Sequence, residues 1–233
     1  MKSGLIGLPG TGKTVVFEAL TGNIDPSGGK GENRIGTVRV PDHRVDALGS
    51  MYRPQKTTYA QVEYFLPARG AEKERGSQWT SVRDCDALIH VLRNFKAYGL
   101  EPPHPADDIR TVDQELMLAD YVVAEKRVER LELDRRRGKT VDPEELSRLQ
   151  QCITLLEDQI PLRHRPELSE SSLLRGFAFL SAKPMLMLFN NDDEDEALPD
   201  PGESIGSENC LVIRGKLEQE LAQMTGEEAE AFL

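Results

Sequence analysis

Eight residues near the N-terminus have the types and spacing of a phosphate-binding loop. They match the pattern G-x-x-x-x-G-K-[ST] and are Gly7, Leu8, Pro9, Gly10, Thr11, Gly12, Lys13 and Thr14. In such a loop, backbone N–H groups at a helix N-terminus face a polyanion, with the helix dipole aligned behind them. Lys13 is placed to reach the β- and γ-phosphates of a nucleotide, and the Thr14 hydroxyl is placed to ligate Mg²⁺. The sequence therefore predicts a nucleoside phosphate site that extends to Val15.

A phosphate-binding loop of this kind connects a strand to a helix, and the flanking residues fit both elements. Leu5 and Ile6 read as the end of a buried strand, and residues 15–20 read as the first turns of a helix. Short runs of strand character follow at 37–40, 60–66, 87–92, 184–189 and 210–213, with a short helix near 44–52. This alternation predicts an α/β fold with a mostly parallel sheet and helices on both faces. The stretch 22–33, rich in Gly, Pro, Ser and Asn, is typical of a switch loop.

Residues 111–163 show a helical periodicity instead. Apolar residues recur at spacings of mostly three and four in two runs, Val112, Leu116, Ala119 and Val123, then Leu146, Leu149, Ile153, Leu156 and Ile160. The polar connection 135–143 ends with Asp142 as an expected N-cap and Pro143 as the first helical residue. Two such helices are expected to pair as an antiparallel coiled-coil hairpin. The basic cluster at its tip is either a solvated loop, as is usual, or a contact for RNA phosphate or an acidic partner.

Composition excludes several classes of protein. The formal charge of −11 over 233 residues argues against a surface that binds nucleic acid as a whole, and we expect no sequence-specific DNA binding. No run is apolar and long enough for a membrane helix, and the N-terminus does not have the succession of a signal peptide. The three cysteines lie far apart, which predicts free thiols in a reducing compartment. These features together predict a cytoplasmic protein without a membrane partner.

Several segments resemble the YchF branch of the Obg-related P-loop GTPases, and the similarity extends over nearly all of the chain. Residues 7–21 are similar to that family's GLPNVGKSTLFNALT, residues 40–46 to its PMPDPRLDQL, and residues 53–57 to its KPQRT. The most specific match is the segment 104–109, HPADDI, which continues into ELMLAD at 115–120. It resembles the family's NPADDI and ELALADL, whereas phosphate-binding loops alone are common to many families.

The resemblance implies a Ras-like P-loop NTPase fold, a three-layer α/β arrangement interrupted by the coiled-coil hairpin. Residues 1–110 and 164–233 are then the nucleotide-binding domain, and residues 111–163 are the insertion. The resemblance further implies GTP or ATP as ligand, Mg²⁺ held through the nucleotide, and a role near ribosomes or in translation. It ends near 222–233, before the small β-rich TGS domain that completes the family. The sequence leaves open whether the chain is truncated or the protein naturally lacks that domain.

The chain departs from the family where hydrolysis is organised. In place of the family's second switch, EFVDIAGL, it has residues 63–70, so Leu66 stands at the magnesium-linked Asp and Arg69 at the Gly that meets the γ-phosphate. The first-switch threonine is replaced near Lys30, and Thr37 lies on a predicted strand. Either nucleotide binds through Lys13 and the backbone amides with slow or absent hydrolysis, or Lys30 or Arg69 supplies the missing charge. The first interpretation is simpler.

Base recognition is expected from the residues after the strand at 185–189. Asn190 and Asp193 align with the Asn and Asp of the guanine-binding pattern N-K-x-D, but Asn191 replaces its lysine. Asp193 favours GTP slightly, and ATP stays open. The acidic run 192–196 as a whole is typical of a solvated loop. The last base-contacting loop would fall at Arg214-Gly215-Lys216, where the family uses small residues.

No catalytic residue is assigned from the sequence. His90 lies inside a predicted buried strand, which favours a core histidine with hydrogen-bond partners over a catalytic one. No Ser/His/Asp set or spacing of metal ligands stands out. The sequence thus predicts a GTP- or ATP-binding protein of the YchF type, acting as a translation- or ribosome-associated switch with weak hydrolysis. The alternative is a non-hydrolysing pseudo-GTPase scaffold that binds a protein or RNA partner through its hairpin.

Overall fold

The computed structural model describes residues 1–24, 32–68, 77–97, 99, 101–199, 209–224 and 228. Its strands are β1 (Lys2–Ile6), β2 (Arg34–Arg39), β3 (Gln61–Leu66), β4 (Ala87–Asn94), β5 (Met185–Asn191) and β6 (Asn209–Ile213). Its α-helices are α1 (Lys13–Thr21), α2 (His43–Tyr52), α3 (Ser77–Ser81), α4 (Pro105–Arg136), α5 (Pro143–Glu157), α6 (Pro166–Ser169) and α7 (Gly215–Leu221). Two 3₁₀ turns cover Leu162–His164 and Arg175–Phe177.

The six strands form one sheet in the order β2-β3-β1-β4-β5-β6. Only the β2–β3 pair is antiparallel; β1 pairs in parallel with both β3 and β4, and β5 pairs in parallel with both β4 and β6. This confirms the predicted mostly parallel sheet. Parallel neighbours place their carboxyl ends along one edge, so the ends of β1, β4 and β5 come together there. Ligands of open α/β sheets bind at this edge.

Alternate residues of the central strand β4 divide the core between two faces of the sheet. Leu88 and Leu92 belong to a cluster that includes Ile109, Val112 and Leu116 of α4. On the other face, Ile89 and Val91 contact a cluster built on Val16 and Phe17 of α1. Such period-two alternation buries both sides of a strand between helices. The result is the helix–sheet–helix layering that the sequence predicts.

Helices α4 and α5 form an antiparallel hairpin. Gln114 of α4 donates to Gln159 just beyond α5, and nearer the tip Arg127 makes a two-pronged ion pair with Glu145, with N–O distances of 2.8 and 3.0 Å. Its interior is apolar and buried, formed by Ala124, Leu131, Leu149, Cys152 and Leu156. The expected cap is present, since the Asp142 carboxylate accepts from the Glu144 amide at 2.9 Å. Helix α4 begins at Pro105, before the predicted boundary at residue 111, and the domain division itself stays a prediction.

Two composition-based expectations bear on the fold. None of the three cysteines, Cys85, Cys152 and Cys210, forms a disulfide bond in the described part of the chain. Within the described ranges, no helix combines the length and the apolar character needed to cross a membrane.

Candidate functional site

The loop between β1 and α1 is held open by glycines in conformations that other residues rarely adopt. Gly7, Gly10 and Gly12 have φ angles of 142°, 81° and 90°. At Gly7, a β-carbon would lie 2.4 Å from the Val91 carbonyl oxygen, and at Gly12 it would lie 2.3 Å from the Asn190 amide nitrogen. Gly12 is the N-cap of α1, and its lack of a side chain leaves the first amides of the helix without a side-chain cap. These amides are the groups that bind phosphate in such loops.

Lys13 lies across this loop. Its ammonium nitrogen donates to the carbonyl oxygens of Gly7 and Leu8, each at 2.7 Å. The Thr11 side chain is buried and its hydroxyl donates to the Leu8 carbonyl at 3.1 Å, which fixes the middle of the loop. The side chains of Lys13, Thr14 and Val15 are all partly exposed in the first turn of α1. A positive charge therefore lies beside the amides of the helix N-terminus, where an anion is stabilised.

A cavity of about 470 Å³ adjoins the loop. One wall is formed by the loop and its neighbours, Leu5, Ile6, Gly7, Pro9, Gly10, Thr11, Gly12, Lys13, Thr14 and Val15. The other described lining residues are largely apolar: Leu66, Pro67 and Ala68 at the end of β3, and Trp79 of α3. This volume lies within the range of small-molecule sites. Of the predicted site residues, the cavity brings together all of those from the loop except Leu8.

Asn190, at the end of β5, connects the loop to the start of α7. Its side chain is buried at the end of β5, and its amide nitrogen donates to the Thr11 carbonyl at 3.1 Å. Its amide oxygen accepts from the Gly215 N–H at 3.0 Å, where α7 begins. A β-carbon on Gly215 would lie 2.6 Å from that oxygen, so the junction has room for glycine only. Asn190, predicted from the sequence to contact the base, thus contacts the backbone carbonyl of Thr11 in the loop.

Asp193 is not brought to the loop. It lies in a turn beyond β5 with its side chain 44% exposed, and its nearest described cation is the Lys216 ammonium at 4.0 Å. Arg214, in the predicted last base-contacting segment, pairs with Glu196 at 2.7 Å. These contacts place the acidic run beside the β6–α7 junction rather than over the cavity. The role of Asp193 in base recognition stays a prediction.

Comparison with known proteins gives relatives over the whole chain. No family model matches. The chain is 30% identical over 267 aligned residues to the ribosome-binding ATPase YchF of Bacillus subtilis, and 31% identical over 253 residues to the protein of that name from Haemophilus ducreyi. Each match covers all of this chain and 70% of the relative.

The chain belongs to the YchF family. A solved structure, the YchF GTPase of Schizosaccharomyces pombe, matches with a TM-score of 0.75 at 23% identity. That match covers all of this chain and 70% of the yeast protein. It confirms the α/β fold with a mostly parallel sheet. The family resemblance inferred from residues 7–21 and 104–120 is likewise confirmed.

Leu66, which the sequence resemblance aligns with the metal-linked acid of the YchF second switch, has a buried hydrocarbon side chain. Leu66 is 5% exposed and packs in the apolar cluster of Leu5, Val16 and Phe17. Nowhere in the described residues do three or more His, Cys, Asp or Glu side chains converge as a metal site. The Thr14 hydroxyl fits Mg²⁺ as a hard oxygen ligand, whereas Leu66 does not. Thr37 is exposed on the strand β2, and Lys30, Arg69 and Gly70 lie outside the described residues.

His90 is a core residue, as predicted, but not one with hydrogen-bond partners. It is fully buried on β4, beside Ile6 of β1, and neither ring nitrogen has a partner among the described residues. Burial, with the positive charges of Arg163 and Lys13, lowers the pKa of His90 to about 3. The ring is therefore neutral at physiological pH. His90 is not among the described residues that line the cavity.

Sequence reasoning missed two contributors to the site. One is Trp79, which lines the cavity, and the other is the Gly215 amide, which donates to the Asn190 side chain. Helix α3 spans five residues, too few for a periodic pattern. Trp79 is the single tryptophan of the sequence, and this rarity is the one signal that pointed to it.

Proposed function

We propose that this protein binds a nucleoside di- or triphosphate at the loop 7–14, with Val15 completing the cradle. The observation that carries the proposal is the uncapped N-terminus of α1 beside the Lys13 ammonium and an adjoining cavity. Backbone amides of the loop would hold the phosphates, and Lys13 would exchange its two carbonyl contacts for phosphate oxygens. Mg²⁺, when bound, neutralises phosphate charge, and the Thr14 hydroxyl is the described group that would hold it.

For the nucleoside end, we propose a site at Asn190 and Asp193. Asn190 would act mainly by fixing the loop, because both ends of its amide are engaged in backbone contacts. Asp193 would accept from a guanine edge after leaving the neighbourhood of Lys216. The names of the relatives include both an ATPase and a GTPase, so GTP and ATP are both candidate ligands.

We propose weak hydrolysis. Phosphoryl transfer depends on positioned charge around the phosphates, and Leu66 supplies none. The same observation favours a second candidate, a non-hydrolysing scaffold in which nucleotide only stabilises the fold. Magnesium-dependent turnover that is lost in Lys13→Ala would establish the enzyme, and binding without turnover would establish the scaffold.

The hairpin is the proposed contact with a ribosome or a protein partner in the cytoplasm. The YchF relatives are named ribosome-binding. Near the hairpin tip, Arg136 and Lys139 pair with Glu132 and Asp134 of α4, but no salt bridge is seen for Arg130, Arg135 or Arg137 among the described residues. Such cations favour RNA phosphate. We keep the division into residues 1–110 with 164–233 and the insertion 111–163 as part of this proposal.

Thermal unfolding with GTP, GDP, ATP and ADP, each with and without Mg²⁺, tests the binding proposal. A ligand at one hundred times its Kd stabilises a fold by about 2.7 kcal/mol, which corresponds to a rise in Tm of roughly 5–10 °C for a chain of this size. We expect that rise for at least one nucleotide, and its loss in Lys13→Ala. Lys126→Ala, an exposed lysine on α4, is the matched control and should respond like the unaltered protein. No rise with any of the four nucleotides would refute the proposal.

A further inference from the structure

Trp79 belongs to two parts of the molecule at once. It is 6% exposed and lines the same cavity as the phosphate-binding loop. It also belongs to the apolar cluster that contains Ile109, Val112 and Leu116 of α4. Its indole nitrogen donates to the Glu115 carboxylate, also on α4, at 3.1 Å. A displacement of this ring would therefore change its contact with α4, the first helix of the hairpin.

A second contact follows four residues later. Arg83, just after α3, donates to the Asp120 carboxylate at 3.2 Å and to the Ala119 carbonyl at 3.2 Å. Asp120 is completely buried and also accepts from the amides of Leu180 and Ser181, at 2.9 and 2.7 Å. This carboxylate thus joins α3, α4 and the segment that returns from the hairpin. Asp120 is therefore a buried anchor of α4, held by Arg83 and by the segment that returns from the hairpin.

We infer that α3, with Trp79 and Arg83, couples ligand occupancy of the cavity to the orientation of the hairpin. The inference rests on the proposed nucleotide binding. A ligand that fills the cavity next to Lys13 changes the contacts of Trp79, and the Glu115 contact transmits that change to α4. The coupling does not require the magnesium-linked acid of the second switch, which Leu66 replaces. It acts instead through Trp79 in the cavity lining, and through the Trp79–Glu115 and Arg83–Asp120 contacts to α4.

The length of α4 makes a small displacement large at the tip. From the anchor at Asp120 to the end of the helix at Arg136 is about 24 Å at 1.5 Å per residue, so a tilt of about 5° about that anchor would move the tip by roughly 2 Å. A ligand shifts such an equilibrium only by its differential affinity for the two orientations. By linkage, a partner bound at the hairpin tip would alter nucleotide affinity by the same factor.

The test combines three measurements on the full chain with GTP, GDP, ATP and ADP in the presence of Mg²⁺. Calorimetry reports binding, emission of the single tryptophan reports the cavity wall, and hydrogen exchange reports peptides of α4 between residues 117 and 136. We expect heat, a changed emission and several-fold slower or faster exchange in α4. In Glu115→Leu and in Arg83→Met, we expect the heat and the emission change to remain and the exchange response to be lost.

Gln114→Leu is the matched control. Gln114 is the neighbour of Glu115 on α4 and bonds to Gln159 rather than to α3, so the exchange response should persist in this variant. Heat without any change in emission or exchange in the unaltered protein would overturn the coupling and leave the binding proposal standing. A full exchange response in both Glu115→Leu and Arg83→Met would also overturn it. No heat with any nucleotide would overturn the binding proposal and the coupling together.

Discussion

Replacing Asn190 by alanine tests whether the phosphate-binding loop depends on an anchor from the other side of the sheet. The Asn190 amide makes two buried hydrogen bonds, to the Thr11 carbonyl at 3.1 Å and from the Gly215 amide at 3.0 Å. Alanine removes both and leaves the two backbone groups without these partners in a part of the structure where Asn190 itself is 4% exposed. The change therefore affects the loop without altering any residue of the loop.

The expected cost follows from the two abandoned backbone groups. A buried polar group that loses its partner costs about 1–3 kcal/mol, so we expect the two groups left by Asn190→Ala to lower the free energy of unfolding by about 2–6 kcal/mol. We also expect nucleotide affinity to fall at least tenfold, because the loop loses about 1.4 kcal/mol or more of pre-organisation. Unfolding in urea measures the first quantity, and calorimetry with GTP, GDP, ATP and ADP measures the second.

Asn191 provides a matched control beside Asn190. It is 3% exposed, donates to the carbonyls of Asp195 and Ala197 and accepts from Asn94, with no contact to the loop. Asn191→Ala should destabilise the fold to a similar extent and leave the affinity for nucleotide within about threefold of its original value. Equal losses of affinity in the two variants, or unchanged affinity in Asn190→Ala, would refute the anchoring argument.

Three further predictions concern the stability of the fold. Between pH 7.5 and 4.5, unfolded His90 gains a proton while the folded side chain, with a pKa of about 3, does not; stability is lost as the pH falls, by roughly 3 kcal/mol. His90→Leu should abolish that part of the pH dependence in urea unfolding, and an unchanged pH profile would contradict the argument. Leu149→Ala, in the hairpin interior, should cost about 2–5 kcal/mol, whereas Leu133→Ala, 48% exposed, should cost less than about 1 kcal/mol. Glu18→Gln removes the negative charge that pairs with Arg34; the two side chains are 8% and 16% exposed, respectively. The substitution should lower the free energy of unfolding by about 1–3 kcal/mol. A loss below about 0.5 kcal/mol, roughly the size seen at ordinary surface sites, would contradict this prediction.

The elements that could be predicted are those whose signals are local in the sequence. The strand, glycine-rich loop and helix at residues 2–21 follow one another directly, so a short motif fixed their order. The hairpin was predictable because long amphipathic helices repeat their apolar residues many times, and because Asp142 and Pro143 mark where the second helix begins. Both depend on backbone preferences and periodicity that a chain carries without reference to distant partners.

Only the loop side of the cavity could be predicted from the sequence. Its loop side comes from contiguous residues, but its apolar side combines the end of β3 with Trp79 of α3. The Asn190 contact joins residues 179 positions apart, and it exists because β5 and β1 flank β4 in the sheet. Strand order depends on packing between many residues, so no local sequence pattern predicts it. The sequence alignment placed Asn190 near the base of a nucleotide, whereas its hydrogen bonds are made to the loop backbone.

Leu66, which the resemblance aligns with an acid of the second switch, has a structural role in the core beyond its lack of charge. A carboxylate among Leu5, Val16 and Phe17 would be buried and would need a compensating partner, whereas leucine joins their apolar cluster and stabilises it. The phosphate-binding loop does not depend on that position, because its amides, Lys13 and Asn190 are arranged through β1, α1 and β5. We therefore propose that binding and hydrolysis are separable in this chain: the loop that would hold phosphate keeps its glycines and Lys13, and the residue aligned with the metal-linked acid is part of the core. In the coupling proposed above, such a chain would respond to nucleotide through the cavity lining, where Trp79 contacts Glu115 of the hairpin, even with slow turnover.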